Sequence, residues 1–149
     1  MAGTKHSKEN PKKKASFNMS INRIELLNSF FDPSIITNNT DSNLTYELSV
    51  DINLDSENSF IIIIVGYVFL SNSKNVFSIS VLNEFGIYGV ANIKTEFKSE
   101  KAFVHLVGLS INHTRGVQST LIQDTTIKNK YIPPITADRI LQQFVRKVL

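Results

Sequence analysis

The chain has 149 residues, 42% of them apolar and 19% charged. This is the size and make-up of one globular domain. It has no cysteine, which excludes disulfides and thiolate metal sites, and its three histidines, His6, His105 and His113, show no ligand spacing. The net charge of +3 divides unevenly: residues 1–14 carry five lysines and one acid, leaving 11 basic and 12 acidic residues elsewhere. The basic character therefore belongs to an arm, residues 1–16, read as disordered, and not to the folded body, residues 17–149. No apolar stretch follows the lysine-rich start, and the longest apolar run, Phe60 to Val65, is too short for a bilayer. A cytoplasmic location is the expectation.

Phe17 to Leu27 predicts a first strand whose alternation slips between Ile21 and Ile24, as a bulge would cause. Asn28 to Pro33 reads as a turn carrying Phe30 and Phe31, followed by a polar loop. Leu44 to Asp55 alternates strictly, with Leu44, Tyr46, Leu48, Val50, Ile52 and Leu54 opposed to polar residues. This is the pattern of an antiparallel strand with one buried and one wet face. Glu47, Asp51 and Asp55 share the wet face about 13 Å apart in succession, too far for an acid–base pair. Ser59 to Leu70 is apolar at nearly every position and predicts a strand buried on both faces, either central or lying under a helix or a partner subunit. A loop at Ser71 to Asn75 and an alternating run from Val76 to Leu82 complete an expected four-stranded meander.

Gly86-Ile87-Tyr88-Gly89 predicts a bend. A helix is expected from about Glu100 to Gln123, with Phe103, Leu106, Val107, Ser110, Val117 and Leu121 on one side and a kink or break near Gly108 to Asn112. Tyr131 to Thr136 is an extended connector stiffened by Pro133 and Pro134. Thr136 can cap a last helix with Asp138 in its first turn, and Ile140, Phe144, Val148 and Leu141, Val145, Leu149 give that helix a wide apolar face. The predicted fold class is α+β: a four-stranded antiparallel sheet packed with two C-terminal helices.

This order of elements resembles the SecB chaperone family over about residues 17–145. Ile21-Asn22-Arg23-Ile24 and Ser29-Phe30 with Pro33 are similar to the family's first strand and its Ser-Phe-x-x-Pro turn. Phe85-Gly86-Ile87-Tyr88 resembles its Gly-Ile-Phe bend, and Thr114-Arg115 its Ala-Arg. Ile132-Pro133-Pro134-Ile135-Thr136-Ala137-Asp138 resembles its helix connector. The resemblance implies ATP-independent holding of unfolded polypeptides in hydrophobic grooves, by a dimer or a homotetramer, for protein export or for a client such as the antitoxin of a toxin–antitoxin pair. Export members dock SecA through acidic residues; the matching positions, near Asn28, Phe31 and Val81, are not acidic, so the resemblance does not extend to SecA docking.

On this resemblance the candidate peptide-groove residues are Phe30, Phe31, Phe85, Ile87, Tyr88 and His113; core packing competes for the aromatic and aliphatic ones, and an idle surface histidine for His113. Ile62, Ile64, Val117 and Leu121 are the candidate oligomer interface. No catalytic or metal-binding residue is assigned, no cofactor is expected, and the protein is read as no enzyme: there is no phosphate loop or nucleophile elbow. Membrane insertion is not expected. A regulatory or nucleic-acid-binding module using the lysine arm is the alternative.

Overall fold

The strict alternation from Leu44 to Asp55 becomes a strand over that whole span. In the computed structural model, which describes residues 18–32, 44–123, 125 and 130–149, four strands form one antiparallel sheet. They are β1 (Asn18–Phe31), β2 (Leu44–Asp55), β3 (Phe60–Ser71) and β4 (Lys74–Tyr88). A short helix, α1 (Ile93–Glu96), and a long one, α2 (Glu100–Ile122), follow. The chain ends with α3 (Ala137–Ile140), which runs on into a π-helical turn, Leu141–Val145. The class is α+β, as predicted. The lysine-rich arm and the polar loop after Asp32 lie outside the described residues.

The strand order is β1-β4-β3-β2, so only β2, β3 and β4 form a meander and β1 adds beside β4. The expected four-strand meander is thus corrected. Alternation marks a strand's two faces but not its neighbours, and residues 32–43 link the two opposite edges of the sheet. Between Ile21 and Arg23 the β1–β4 register shifts, as the slipped alternation predicted. A second shift, between Leu26 and Asn28, was not foreseen. It re-phases the strand, so that Asn28 to Phe31 stay in β1 where a turn was expected.

β4 likewise runs straight through the expected bend and stops at Tyr88, before Gly89 at φ 87°. Gly86 sits within the strand for a steric reason. A Cβ there would lie 2.9 Å from the Ser20 hydroxyl and 3.0 Å from the Tyr88 hydroxyl. Asn72 and Ser73, at φ 49° and 64°, form the two-residue turn from β3 to β4, the geometry that matches strand twist in tight hairpins.

Helices cover one face of the sheet only. On β3, Ile61, Ile63, Val65, Tyr67 and Phe69 are buried, while the alternate residues are partly exposed. The expectation of burial on both faces therefore fails for this chain alone. Val76, Phe77, Ile79, Val81, Phe85 and Ile87 of β4 extend the core, and each such side chain contributes roughly 1.5–3 kcal/mol by leaving water.

Phe103, Leu106, Val107, Ser110, Ile111, Thr114, Gln118 and Ile122 form the buried stripe of α2. The expected stripe ended on Val117 and Leu121 instead; Val117 is only partly buried and Leu121 is 38% exposed. Ile111, Thr114, Gln118 and Ile122 are the unexpected members, and the polar residues of the stripe are satisfied inside: Ser110 Oγ donates to the Leu106 carbonyl and Thr114 Oγ1 to the Ser110 carbonyl. No break occurs near Gly108. A Cβ on that glycine would lie 3.8 Å from Ile140 Cδ1, an ordinary van der Waals contact.

Thr136 caps α3 as predicted, its hydroxyl accepting from the Arg139 N–H at 3.3 Å, with Asp138 in the first turn. The π turn that follows brings the two buried residues, Ile140 and Val145, five apart in sequence, to one side. Phe144 and Leu141 pack partly against the core, and Val148 and Leu149 remain exposed.

Candidate functional site

The connector between α2 and α3 is held by side chains of α2. Gln118, wholly buried, donates through Nε2 to the Lys130 carbonyl at 2.9 Å and accepts from the Ile132 N–H at 3.0 Å. It is also hydrogen-bonded to Tyr67 on β3. Burial, with Tyr46 close by, pushes the Tyr67 phenol up to about 12 against that bond, so it stays protonated. Three residues earlier, Arg115 donates through Nε to the Ile132 carbonyl at 2.9 Å and through Nη2 to the Pro133 carbonyl at 3.0 Å. A proline-stiffened strap is thereby fixed along the helix, with Ile132 buried beneath it.

The candidate groove residues do not come together. Phe85 and Ile87 face the helices and are 0% and 1% exposed, which leaves them no surface to offer: they are core. Tyr88 lies on the opposite, open face, 54% exposed, its hydroxyl 3.2 Å from Ser20 Oγ. Phe30 is exposed near the other end of β1, paired with Ser78, roughly 33 Å from Tyr88 along β4 at 3.3 Å per residue. Phe31 points the other way, partly buried and paired with Phe77. His113 bonds Asn83 of β4 at 2.8 Å, and burial lowers its pKa below the usual 6.5.

The candidate interface residues also divide. Ile62 and Ile64 lie on the open face of the sheet, Val117 and Leu121 on α2, which covers the other face.

Two other apolar surfaces are more continuous, and both lie at sheet edges. On β1, Met19, Ile21, Ile24, Leu26, Leu27 and Phe30 are all exposed, Ile21 by 52%. They occupy both faces of the strand. Arg23 bridges Glu25 at 3.0 Å and Glu84 at 3.3 Å across the open face beside them.

At the opposite edge, β2 is paired on one side only and has no register shift along its whole length. A groove of about 440 Å³ runs along its free edge, between Leu48, Val50 and Ile52 on the strand and Phe144, Lys147 and Val148 at the end of the chain. Ser49 and Asp51, on the strand's other face, line it too, so the groove wraps the edge itself. Alternate residues of an edge strand turn unpaired N–H and C=O groups outward. Bulges blunt such an edge on β1; nothing comparable blunts β2. Leu48, Val50 and Ile52 were legible as apolar and Phe144 and Val148 as a helix face, but no sequence signal says that β2 is an edge or that the last helix stands beside it.

Among the described residues, no group of three or more His, Cys, Asp or Glu side chains is placed to hold a metal, and no helix is long and apolar enough to cross a membrane. The arrangement offers main-chain hydrogen bonding beside apolar and polar side chains.

No family model matches the chain, and no curated protein matches it. Among solved structures, the chain is similar to that of the Mycobacterium tuberculosis Rv1957 SecB-like chaperone in complex with a ChAD peptide from the Rv1956 HigA1 antitoxin, at a TM-score of 0.47 and 12% identity over 78% of this chain and 90% of that chain.

Proposed function

We propose that this protein holds extended, apolar segments of non-native polypeptide in the groove at the free edge of β2, as a binder and not as an enzyme. One observation carries the reading: an unbulged strand edge with outward main-chain groups lies against a trough in which Leu48, Val50, Ile52, Phe144 and Val148 alternate with the polar side chains of Ser49, Asp51, Gln143 and Lys147. Main-chain hydrogen bonds are the same for every sequence, and apolar burial is non-directional. A site built from the two accepts unrelated clients without a nucleotide. The sequence resemblance to the SecB family points the same way and leaves open whether the client is an export precursor or an antitoxin.

The second edge serves assembly in this reading. β1 displays apolar side chains on both faces, more than one subunit hides, and surplus of this kind marks a contact surface. The dimer or tetramer thus forms through β1 and leaves β2 free.

The test is suppression of aggregation of a chemically unfolded client by the full chain without ATP, read by light scattering and titrated against chain concentration. Suppression that saturates near one client per assembly supports the reading. Undiminished aggregation at a severalfold excess of chaperone overturns it.

A further inference from the structure

The cleft between α2 and the connector points to a second, more selective contact, and we propose that it is a pocket for the C-terminal residue of a bound polypeptide when that residue is aliphatic. The inference rests on the holding function and narrows its client class. The cleft encloses about 170 Å³. Ile111, Pro134, Ile135 and Ile140 wall it, Gly108 leaves its floor open, and Arg115 with Asn112 forms its polar end.

Arg115 makes three hydrogen bonds, all to neutral oxygens: the Ile132 and Pro133 carbonyls and Asn112 Oδ1, the last at 2.8 Å. Among the described residues the ion pairs belong to Arg23, and no carboxylate lies within ion-pair distance of Arg115. A guanidinium carries five N–H groups, so two remain after these bonds. The Asn112 side chain accepts from Arg115 through its oxygen, and its NH₂ has no hydrogen-bond partner among the described residues. The result is a fixed, planar cation with no carboxylate partner among the described residues, the geometry that suits a carboxylate.

A carboxylate alone has no use for the apolar walls, and an aliphatic side chain alone has none for the cation. The last residue of a polypeptide carries both on one carbon. At about 30 Å³ per water molecule, the cleft's 170 Å³ has room for one such residue.

The experiment compares short fluorescent peptides of one sequence, ending in Leu as the free acid, in Leu as the amide, or in Gly as the free acid, by anisotropy with the full chain. The free-acid Leu peptide is expected to bind about tenfold more tightly than the amide, as one charge-assisted contact provides, and to lose that advantage as salt is raised. Its advantage over the Gly acid, which comes from the apolar walls, is expected to persist in salt. Arg115→Gln is expected to abolish the difference between acid and amide. Because that substitution also loosens the connector, Gly108→Val provides a second probe: it leaves Arg115 in place, narrows the cleft, and is expected to bring the Leu acid down to the affinity of the Gly acid. Equal binding of acid and amide by the unaltered chain overturns the carboxylate pocket while leaving the holding function intact. Failure of all three peptides to bind, in a chain that also fails to suppress aggregation, overturns both.

Discussion

Asn83 and His113 meet at 2.8 Å across the boundary between sheet and helix, Asn83 fully buried in β4 and His113 on α2. The Asn83 amide also reaches the Ile63 and Val81 carbonyls at 3.4 Å, so one polar side chain spans two strands and a helix. Its carbonyl accepts from His113 Nδ1–H, which leaves Nε2 as the site that titrates. Burial lowers the folded-state pKa of His113 below 6.5, so the unfolded chain takes up the proton first. The stability contribution is therefore complete above pH 6.5 and is lost as pH falls through and below it. Denaturant midpoints of the unaltered chain are expected to drop between pH 7.5 and 5, and His113→Gln, which keeps a donor toward Asn83, is expected to flatten that portion of the slope. An unchanged slope would remove the assignment.

Gln118 satisfies two main-chain groups of the connector at once. Gln118→Ala leaves the buried Ile132 N–H without its acceptor, at a cost of about 1–3 kcal/mol. Chemical denaturation measures the loss. Hydrogen exchange should show faster exchange at Ile132, whose N–H loses its partner, than in the β3–β4 ladder, which is untouched.

The two edges of the sheet separate experimentally. Leu26→Lys places a charge on the exposed apolar surface of β1. It is expected to lower the solution mass measured by light scattering while circular dichroism stays unchanged. An assembly of unaltered mass would exclude β1 as the subunit contact.

Val148 lines the β2 groove while remaining exposed. Val148→Asp is therefore expected to weaken client holding severalfold at a stability cost under about 0.5 kcal/mol, as for surface substitutions generally. Phe31→Asp is expected to do the reverse: its side chain packs, partly buried, against the core, so replacing it with a charge destabilises the fold directly. Aggregation assays and melting curves on the same two variants distinguish the roles.

Gly116 lies mid-helix, exposed, with nothing within 4 Å of a Cβ built on it. Gly116→Ala should stabilise the chain by about 0.5–1 kcal/mol, since it lowers the entropy of the unfolded backbone at no steric cost. The melting temperature is the measurement.

Local pattern was enough wherever a residue's environment follows from its near neighbours. Leu44 to Asp55 declared its strand and its two faces, the slip near Ile21 declared a bulge, and Thr136 with Asp138 declared a helix start. The errors fall where a distant partner decides. Gln118, absent from the expected apolar stripe, is buried, because the connector satisfies both ends of its amide. Gly86 looked like a bend and is strand, because it pairs with Ser20 of β1 on one side and Phe60 of β3 on the other.

The amino-acid order by itself determined which segments extend, which coil, and that their apolar surface exceeds what a single sheet face uses. Which strands became edges, and hence where unpaired main chain meets apolar walls, was decided only when β1 crossed to pair with β4 and the last helix came to rest beside β2. The reason is physical: side-chain periodicity encodes which face turns inward, whereas the neighbour a strand takes depends on loop paths and long-range packing, which no local repeat records.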